Sequence, residues 1–167
     1  LVEVRQGDTT TVRDFRRTGG LDLLARLLVR GGTLDLAVAR SLLEARLRVG
    51  PIVAELAAER AGDGVATRLR SVVRTMEADA DPVRRQHHAL EFWEVVVDAA
   101  DSIAFRLMFN SLRGAYEPTI GALASLMAEE VDQIGRYDAL VDAVEAGDGP
   151  LARARAEELL GPATTSL

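Results

Sequence analysis

The sequence contains neither cysteine nor lysine. Without cysteine the chain can form no disulfide bond, no thiolate metal site and no cysteine nucleophile, and it suits a reducing compartment such as the cytoplasm. Because lysine is absent, all 20 basic residues are arginine, and the formal net charge is −6. An acidic chain binds phosphate backbones poorly, so we do not expect these residues to bind nucleic acid by themselves.

Long apolar runs are also missing. No stretch of about 18 uninterrupted apolar residues occurs, so we expect no membrane-spanning helix and no membrane partner. The first residues, 1–5, lack both the pattern of a signal peptide and an initiator methionine. We therefore predict that the chain begins inside a longer protein, and its 167 residues suit one domain.

The apolar periodicity predicts an all-α fold, an antiparallel bundle of about seven helices, behind a short N-terminal β-hairpin. Alternating and β-branched residues at 2–5 and 9–12 predict the hairpin. Glycine, proline and aspartate then separate the helices, and Thr33 is the predicted N-cap of the second helix. The predicted helices cover about 21–29, 34–61, 65–78, 82–99 and 102–116, a stretch that begins at Pro118, about 131–146, and a last stretch that ends near Leu160.

Most of the residues that could carry chemistry have ordinary explanations. His87 and His88 are adjacent, so on a helix they point about 100° apart and do not easily share one metal ion. Carboxylates such as Glu129 and Glu130 are expected on solvated helix faces. The sequence has no nucleophile elbow and no glycine-rich phosphate loop. We expect no metal, no cofactor and no enzymatic activity.

Arg46 stands out because it falls on the apolar stripe of the second predicted helix. Leu42, Val49 and Val53 belong to that stripe, at helical spacing from Arg46. One interpretation is that the guanidinium reaches the surface or pairs with a buried carboxylate. The other is that it waits for an anionic ligand. The sequence leaves both open.

The fifth predicted helix, 102–116, is apolar almost all round, which is typical of a helix in the middle of a bundle. Arg106, Asn110 and Arg113 follow each other at i, i+4 and i+7 and form a polar line on it. This line is either a solvent-facing seam or part of a cavity wall.

Several segments together resemble a known family. Residues 4–15 look like the end of the winged-helix DNA-binding domain of GntR-family transcription regulators, and 19–24 resemble the linker helix of the FadR branch. Residues 43–46 and 56–61 look like the first long helix of that branch's C-terminal domain. The order and spacing of these segments carry the resemblance.

The segment 102–116 strengthens this resemblance. Asn110, Gly114 and Tyr116 match the corresponding family segment, and Arg113 keeps its charge. The resemblance implies a wing and linker at 1–18, a helical effector-binding and dimerisation domain at 19–162 and a frayed tail at 163–167. It also implies a homodimer that binds operator DNA through an N-terminal winged helix.

The chain departs from the family at the metal site. Many relatives bind a divalent metal through an Asp-x-x-x-His pair and two later histidines. The corresponding positions here hold Ala89, Trp93, Tyr137 and Leu159, so we expect no metal there. The fatty-acid-responsive member of the branch also lacks this metal. The resemblance therefore implies an acyl-CoA, a fatty acid or a small organic acid as effector.

We predict a ligand site in which Arg46 contacts an anionic group and Arg113 supplies a second charge. Asn110 and Tyr116 would donate hydrogen bonds. Trp93 and Tyr137 would line the cavity, although both also suit simple core packing. Two other functions stay open: a helical enzyme that acts on a small acid or acyl substrate, and a ligand-free dimerisation scaffold whose cavity those two aromatic side chains fill.

Overall fold

The computed structural model describes residues 2–3, 11–12, 14, 17 and 19–165. Within them one short and seven longer α-helices form a bundle, and the predicted all-α fold with a small N-terminal hairpin is confirmed. The helices are α1 (Leu24–Leu28), which follows a 3-10 turn at Leu21–Leu23, α2 (Leu36–Arg60), α3 (Val65–Ala78), α4 (Pro82–Ala99), α5 (Ile103–Tyr116), α6 (Ile120–Val131), α7 (Ile134–Glu145) and α8 (Gly149–Thr165).

Two short antiparallel hairpins accompany the bundle, one before α1 and one between α1 and α2. Strand β1 (Val2–Glu3) pairs with β2 (Thr11–Val12), as predicted. The turn between them, and most of the predicted wing at 1–18, lie outside the described residues. Strand β3 (Val29–Arg30) pairs with β4 (Thr33–Leu34). Gly31 and Gly32 between these strands have φ of 60° and 81°, the left-handed conformation that a tight hairpin turn requires.

The second hairpin changes the predicted start of α2. Thr33 was the predicted N-cap, and this prediction is wrong because Thr33 belongs to β4. Asp35 caps the helix instead, and its Oδ1 accepts hydrogen bonds from the backbone N–H groups of Ala37 and Val38 at 3.1 and 3.2 Å. The helix then continues without interruption through Pro51 to Arg60.

Helix α8 packs against α2 and extends past its predicted end. A Cβ atom on Gly50 would lie 2.5 Å from Leu160 Cδ1, so glycine permits the close approach of the two helices. The predicted frayed tail is helical as far as Thr165, because Ala163 is buried in a cluster with Leu43 and Leu123. Residues 166–167 lie outside the described residues.

The main core is centred on α4. Phe92 is fully buried and meets the Tyr137 ring edge-on, with ring centroids 5.0 Å apart. Trp93 lies edge-on to the other side of Phe92, at 6.2 Å. Helices α2, α3, α7 and α8 enclose these rings with small and branched aliphatic side chains.

Helix α5 does not run through the middle of the bundle, as the sequence had indicated. Ala115 is its one fully buried residue, and the side chains of Ile103 and Leu107 are 74% and 59% exposed. The helix lies on the outside with one apolar face turned inward and the other outward, which explains why it is apolar nearly all round. In the part of the chain that the structure describes, no helix combines the length and the hydropathy that a membrane crossing needs.

Candidate functional site

A cavity of about 120 Å³, open on one side, lies between α2, α4, α5 and α6. Each helix contributes residues at helical spacing, so that one continuous stripe of each faces the cavity. Apart from Arg46, Gln86, Arg113 and Glu130, the walls consist of glycine and of aliphatic or aromatic side chains. The aromatic part of the wall is formed by Trp93, Phe105, Phe109 and Tyr116.

Arg46 and Glu130 form a bidentate ion pair at the cavity wall. Arg46 Nη1 donates to Glu130 Oε2 at 2.7 Å, and Nη2 donates to Oε1. The Glu130 side chain is fully buried, whereas the Arg46 side chain keeps 25% of its surface exposed. Two parallel hydrogen bonds fix the guanidinium in one plane and hold α2 against α6.

Aromatic groups surround this ion pair. The guanidinium carbon of Arg46 lies 6.0 Å from the centroid of the Trp93 ring. The Tyr137 hydroxyl donates to Glu130 Oε1 at 3.4 Å from behind. Desolvation acts to lower the pKa of Arg46, but the charge and the hydrogen bonds of Glu130 outweigh it, and the pKa lies above its ordinary value. Arg46 therefore keeps its charge beside the buried carboxylate.

Tyr116 and Gln86 form a second polar contact at the wall. The Tyr116 hydroxyl donates to Gln86 Oε1 at 2.5 Å. Burial raises the pKa of Tyr116 above its ordinary value, against the opposing effect of Arg46. Within the described residues, two buried donors on cavity-lining side chains lack a hydrogen-bond partner: Gln86 Nε2 and Trp93 Nε1.

Arg113 is held by two carboxylates. Its Nη1 donates to Glu94 at 2.7 Å and its Nε donates to Glu117 at 3.3 Å. The hydrogen bond to Glu117 raises the pKa of Arg113, and desolvation opposes the rise. Arg106, at the other end of the predicted polar line, pairs with Asp98 and Glu94 on α4. These charges tie α5 to α4 along the edge of the cavity.

The structure brings four of the six predicted site residues to the cavity: Arg46, Trp93, Arg113 and Tyr116. Tyr137 is fully buried directly behind Glu130. It contacts the ion pair without lining the cavity. Asn110 lies on the exposed face of α5, away from the cavity, because the inward face of this helix carries Phe109 and Leu112.

Sequence reasoning missed Glu130 and Gln86. Glu130 was expected on a solvated face, and this expectation is wrong because the residue is fully buried. The signal is the position of Glu130 on the apolar stripe of α6, at i+7 from Leu123 and i+3 from Met127. Arg46 on α2 carries the same signal. Two opposite charges on the apolar stripes of two helices are candidates for a buried pair.

The histidines do not build a metal site in the described residues. His88 contacts Asp79 and Glu91, each at 3.4 Å, and does not line the cavity. Over the ranges that the structure describes, no three histidine, aspartate or glutamate side chains lie together as metal ligands would.

Comparison with known proteins agrees with the fold. Residues 41–161 match the model of the FCD domain. The chain is 53% identical over all 167 residues to the HTH-type transcriptional regulator Mce2R of Mycobacterium tuberculosis, of which it covers 70%. An HTH-type transcriptional regulator of Mycobacterium bovis is equally similar. Among solved structures, GntR of Streptococcus agalactiae superposes with a TM-score of 0.68 at 20% identity, over 98% of this chain and 74% of that one.

Proposed function

Since the chain belongs to the FCD-domain family, the effector-binding domain of GntR-type transcription regulators, we propose that the cavity beside Arg46 is its effector site. The observation that carries the proposal is an open apolar cavity whose lining residues include an ion pair and two side chains that each have an unpaired buried donor. Concave, mostly apolar pockets with a few convergent polar groups are the usual form of small-molecule sites.

The cavity also argues against the scaffold function. If Trp93 and Tyr137 filled the cavity, no space would remain beside Arg46. Tyr137 does pack in the core behind Glu130, but Trp93 forms part of the cavity wall. A domain that only dimerises has no need of an open apolar cavity whose walls carry unpaired polar atoms, since such atoms lower stability.

Of the three effector classes that the resemblance implies, an acyl compound suits this cavity best. The walls offer aliphatic and aromatic surface to an acyl chain. A small organic acid or a fatty acid would bring a carboxylate, but Glu130 already occupies both sides of the Arg46 guanidinium. The acyl chain of a larger acyl-CoA carries no charge, and the charged part of that molecule would lie outside the open side of the cavity.

The effector would act by shifting the populations of two helix arrangements. A ligand does this only if it binds one arrangement better than the other. Helix α5 supplies much of the cavity wall, and its Ala115 packs against Leu28 of α1 and Ala39 of α2. Displacement of α5 by a ligand would therefore move α1, which lies towards the N-terminus. We propose that this movement is transmitted to an N-terminal winged helix and changes its affinity for operator DNA.

We further propose that the domain is a homodimer of the FadR branch, acts in the cytoplasm and has no enzymatic activity. Its relatives are named as transcription regulators. A second copy would cover apolar side chains such as Ile103 and Leu107, one turn apart on the outer face of α5. Sedimentation tests this directly, and a species at the 18.0 kDa of a single chain would contradict it.

The site itself is tested by titration of the chain with octanoyl-CoA, octanoate and citrate. Trp93 is the only tryptophan, so its fluorescence reports on the cavity alone. We expect a saturable change with octanoyl-CoA, and we expect Ala89→Leu, which extends a side chain into the cavity, to abolish it. Ala154→Leu makes the same change on the exposed face of α8 and should leave the titration unchanged. No saturable change with any of the three would contradict the proposed site.

A further inference from the structure

We propose that the part of the ligand that the cavity encloses is uncharged and apolar and bears a hydrogen-bond-acceptor oxygen, and that Trp93 and Gln86 bind this oxygen. The inference rests on the proposed function, which supplies the site, and it names the ligand chemistry that the site selects. It differs from the sequence-based prediction, in which Arg46 binds an anion.

The charges around the cavity are already balanced. Arg46 is paired bidentately with Glu130, and Arg113 is paired with Glu94 and Glu117. A buried anion needs a partner of opposite charge, because its transfer out of water is otherwise too unfavourable. An anionic ligand would have to displace Glu130 and leave that carboxylate buried without its partner. A neutral ligand disturbs neither ion pair.

Two polar atoms remain unsatisfied, and both belong to donor groups. Trp93 Nε1 and Gln86 Nε2 have no hydrogen-bond partner among the described residues, and their side chains are 6% and 1% exposed. The large majority of buried polar side-chain atoms in proteins have a partner. Gln86 and Trp93 lie seven positions apart, two turns along the same face of α4. Neither atom has open surface in the ligand-free structure, so a ligand with an acceptor oxygen would complete one or both groups after a small movement of the side chains that cover them.

The size of the cavity limits the part of the ligand that it encloses. An engineered apolar cavity of about 150 Å³ holds one benzene molecule. The present cavity of about 120 Å³ therefore encloses a group about the size of a six-carbon ring, and the open side allows a longer molecule to continue outward. Aromatic rings in the wall, such as Phe105 and Phe109, suit such a group.

Three probes of nearly the same shape separate the ligand classes. Cumene has no acceptor, acetophenone has a neutral carbonyl oxygen, and benzoate has a charged carboxylate. Because the chain contains one tryptophan, its proton–nitrogen correlation spectrum contains one indole N–H signal. We expect acetophenone to bind and to move this signal downfield, as a new hydrogen bond does. We expect cumene to bind without the downfield shift, and benzoate not to bind.

A matched chemical variant isolates the indole donor. Growth with benzothienylalanine replaces the single tryptophan by an analogue of nearly the same shape that has sulfur instead of the N–H group. Loss of one hydrogen bond should weaken acetophenone binding about fivefold and leave the affinity for cumene unchanged. The ligand-free variant should be no less stable in urea than the native chain, because the group it loses has no partner there. The double variant Gln86→Met/Tyr116→Phe applies the same test to the carboxamide of Gln86. It removes both partners of the hydrogen bond between the Tyr116 hydroxyl and Gln86 Oε1, so neither is left unpaired.

The outcomes distinguish the inference from the proposed function. Tighter binding of benzoate than of acetophenone would overturn the inference, because the site would then be an anion site. Equal weakening of acetophenone and cumene in the benzothienyl variant would overturn it too, while the cavity would stand as a ligand site. If none of the three probes binds and the indole signal stays unchanged, the proposed site fails together with the inference.

Discussion

At the scale of single residues, the ion pair of Arg46 and Glu130 determines what the cavity can bind. The sequence left two interpretations of Arg46 open, and the structure shows the pairing with a buried carboxylate. The pair joins residues 84 positions apart, so no local pattern identifies the partner. The sequence does show that each of the two charged residues lies on the apolar stripe of its helix. Only Arg46 was predicted as a site residue on this basis.

Glu130→Gln should destabilise the chain strongly. It removes the negative charge but leaves Arg46 at the cavity wall with a neutral partner, and breaking a buried pair in this way costs about 3 kcal/mol. Glu158→Gln is the matched control, since Glu158 pairs with Arg155 at the surface at 2.8 Å and such pairs contribute less than about 1 kcal/mol. Urea unfolding measures the free energy of unfolding of both variants. A similar small loss in the two would contradict the importance of the buried pair.

The tyrosines predict how stability depends on alkaline pH. Burial raises the pKa of Tyr116 and of Tyr137, and the negative charge of Glu130 adds to the rise for both. Unfolded tyrosine ionises near pH 10, so above that pH the unfolded chain releases protons that the folded chain retains. The contribution of the two buried tyrosines to the free energy of unfolding is therefore intact below pH 10 and is lost as the pH rises above it.

Ultraviolet titration tests this directly, because the chain has two tyrosines and both lie at the site. Native protein should show no tyrosinate absorbance near pH 10, whereas protein in urea should titrate there. Ionisation of either tyrosine at its ordinary pH in the folded chain would show that the site is more open to water than described.

At the scale of the elements, local capping signals predicted the helix bounds well and tertiary contacts explain the failures. Helices α3 and α4 begin and end at the predicted residues, because a glycine turn and the Asp81–Pro82 pair fix their starts locally. Helix α8 exceeds its predicted end because Ala163 packs against Leu43 from a distant part of the chain. The exposed position of α5 was not predictable from its own composition, since apolar residues cover both of its faces.

The two N-caps of α2 and α5 offer a matched comparison. Asp35 accepts two backbone hydrogen bonds at the start of α2, so Asp35→Ala should lower the free energy of unfolding by about 1 kcal/mol. Ser102 occupies the same position before α5 but its side chain makes no capping hydrogen bond, so Ser102→Ala should cost clearly less. Thermal unfolding compares the two, and an equal or larger loss for Ser102→Ala would contradict the described caps.

At the scale of the whole molecule, the bundle encloses a cavity between α2, α4, α5 and α6. Composition and periodicity predicted the bundle, and the four wall residues Arg46, Trp93, Arg113 and Tyr116 were predicted from the sequence. Glu130 and Gln86 were not predicted as site residues, because such a prediction requires knowledge of which helices are neighbours.

The most direct test of the cavity as a ligand site is its energetic linkage to folding. Acetophenone at about 100 times its dissociation constant should raise the free energy of unfolding of the native chain by about 2.7 kcal/mol. It should leave Ala89→Leu, whose added carbons occupy the same space, unchanged. We predict this difference in urea unfolding with and without the ligand. Equal stabilisation of both chains, or of neither, would contradict the assignment of this cavity as the effector site.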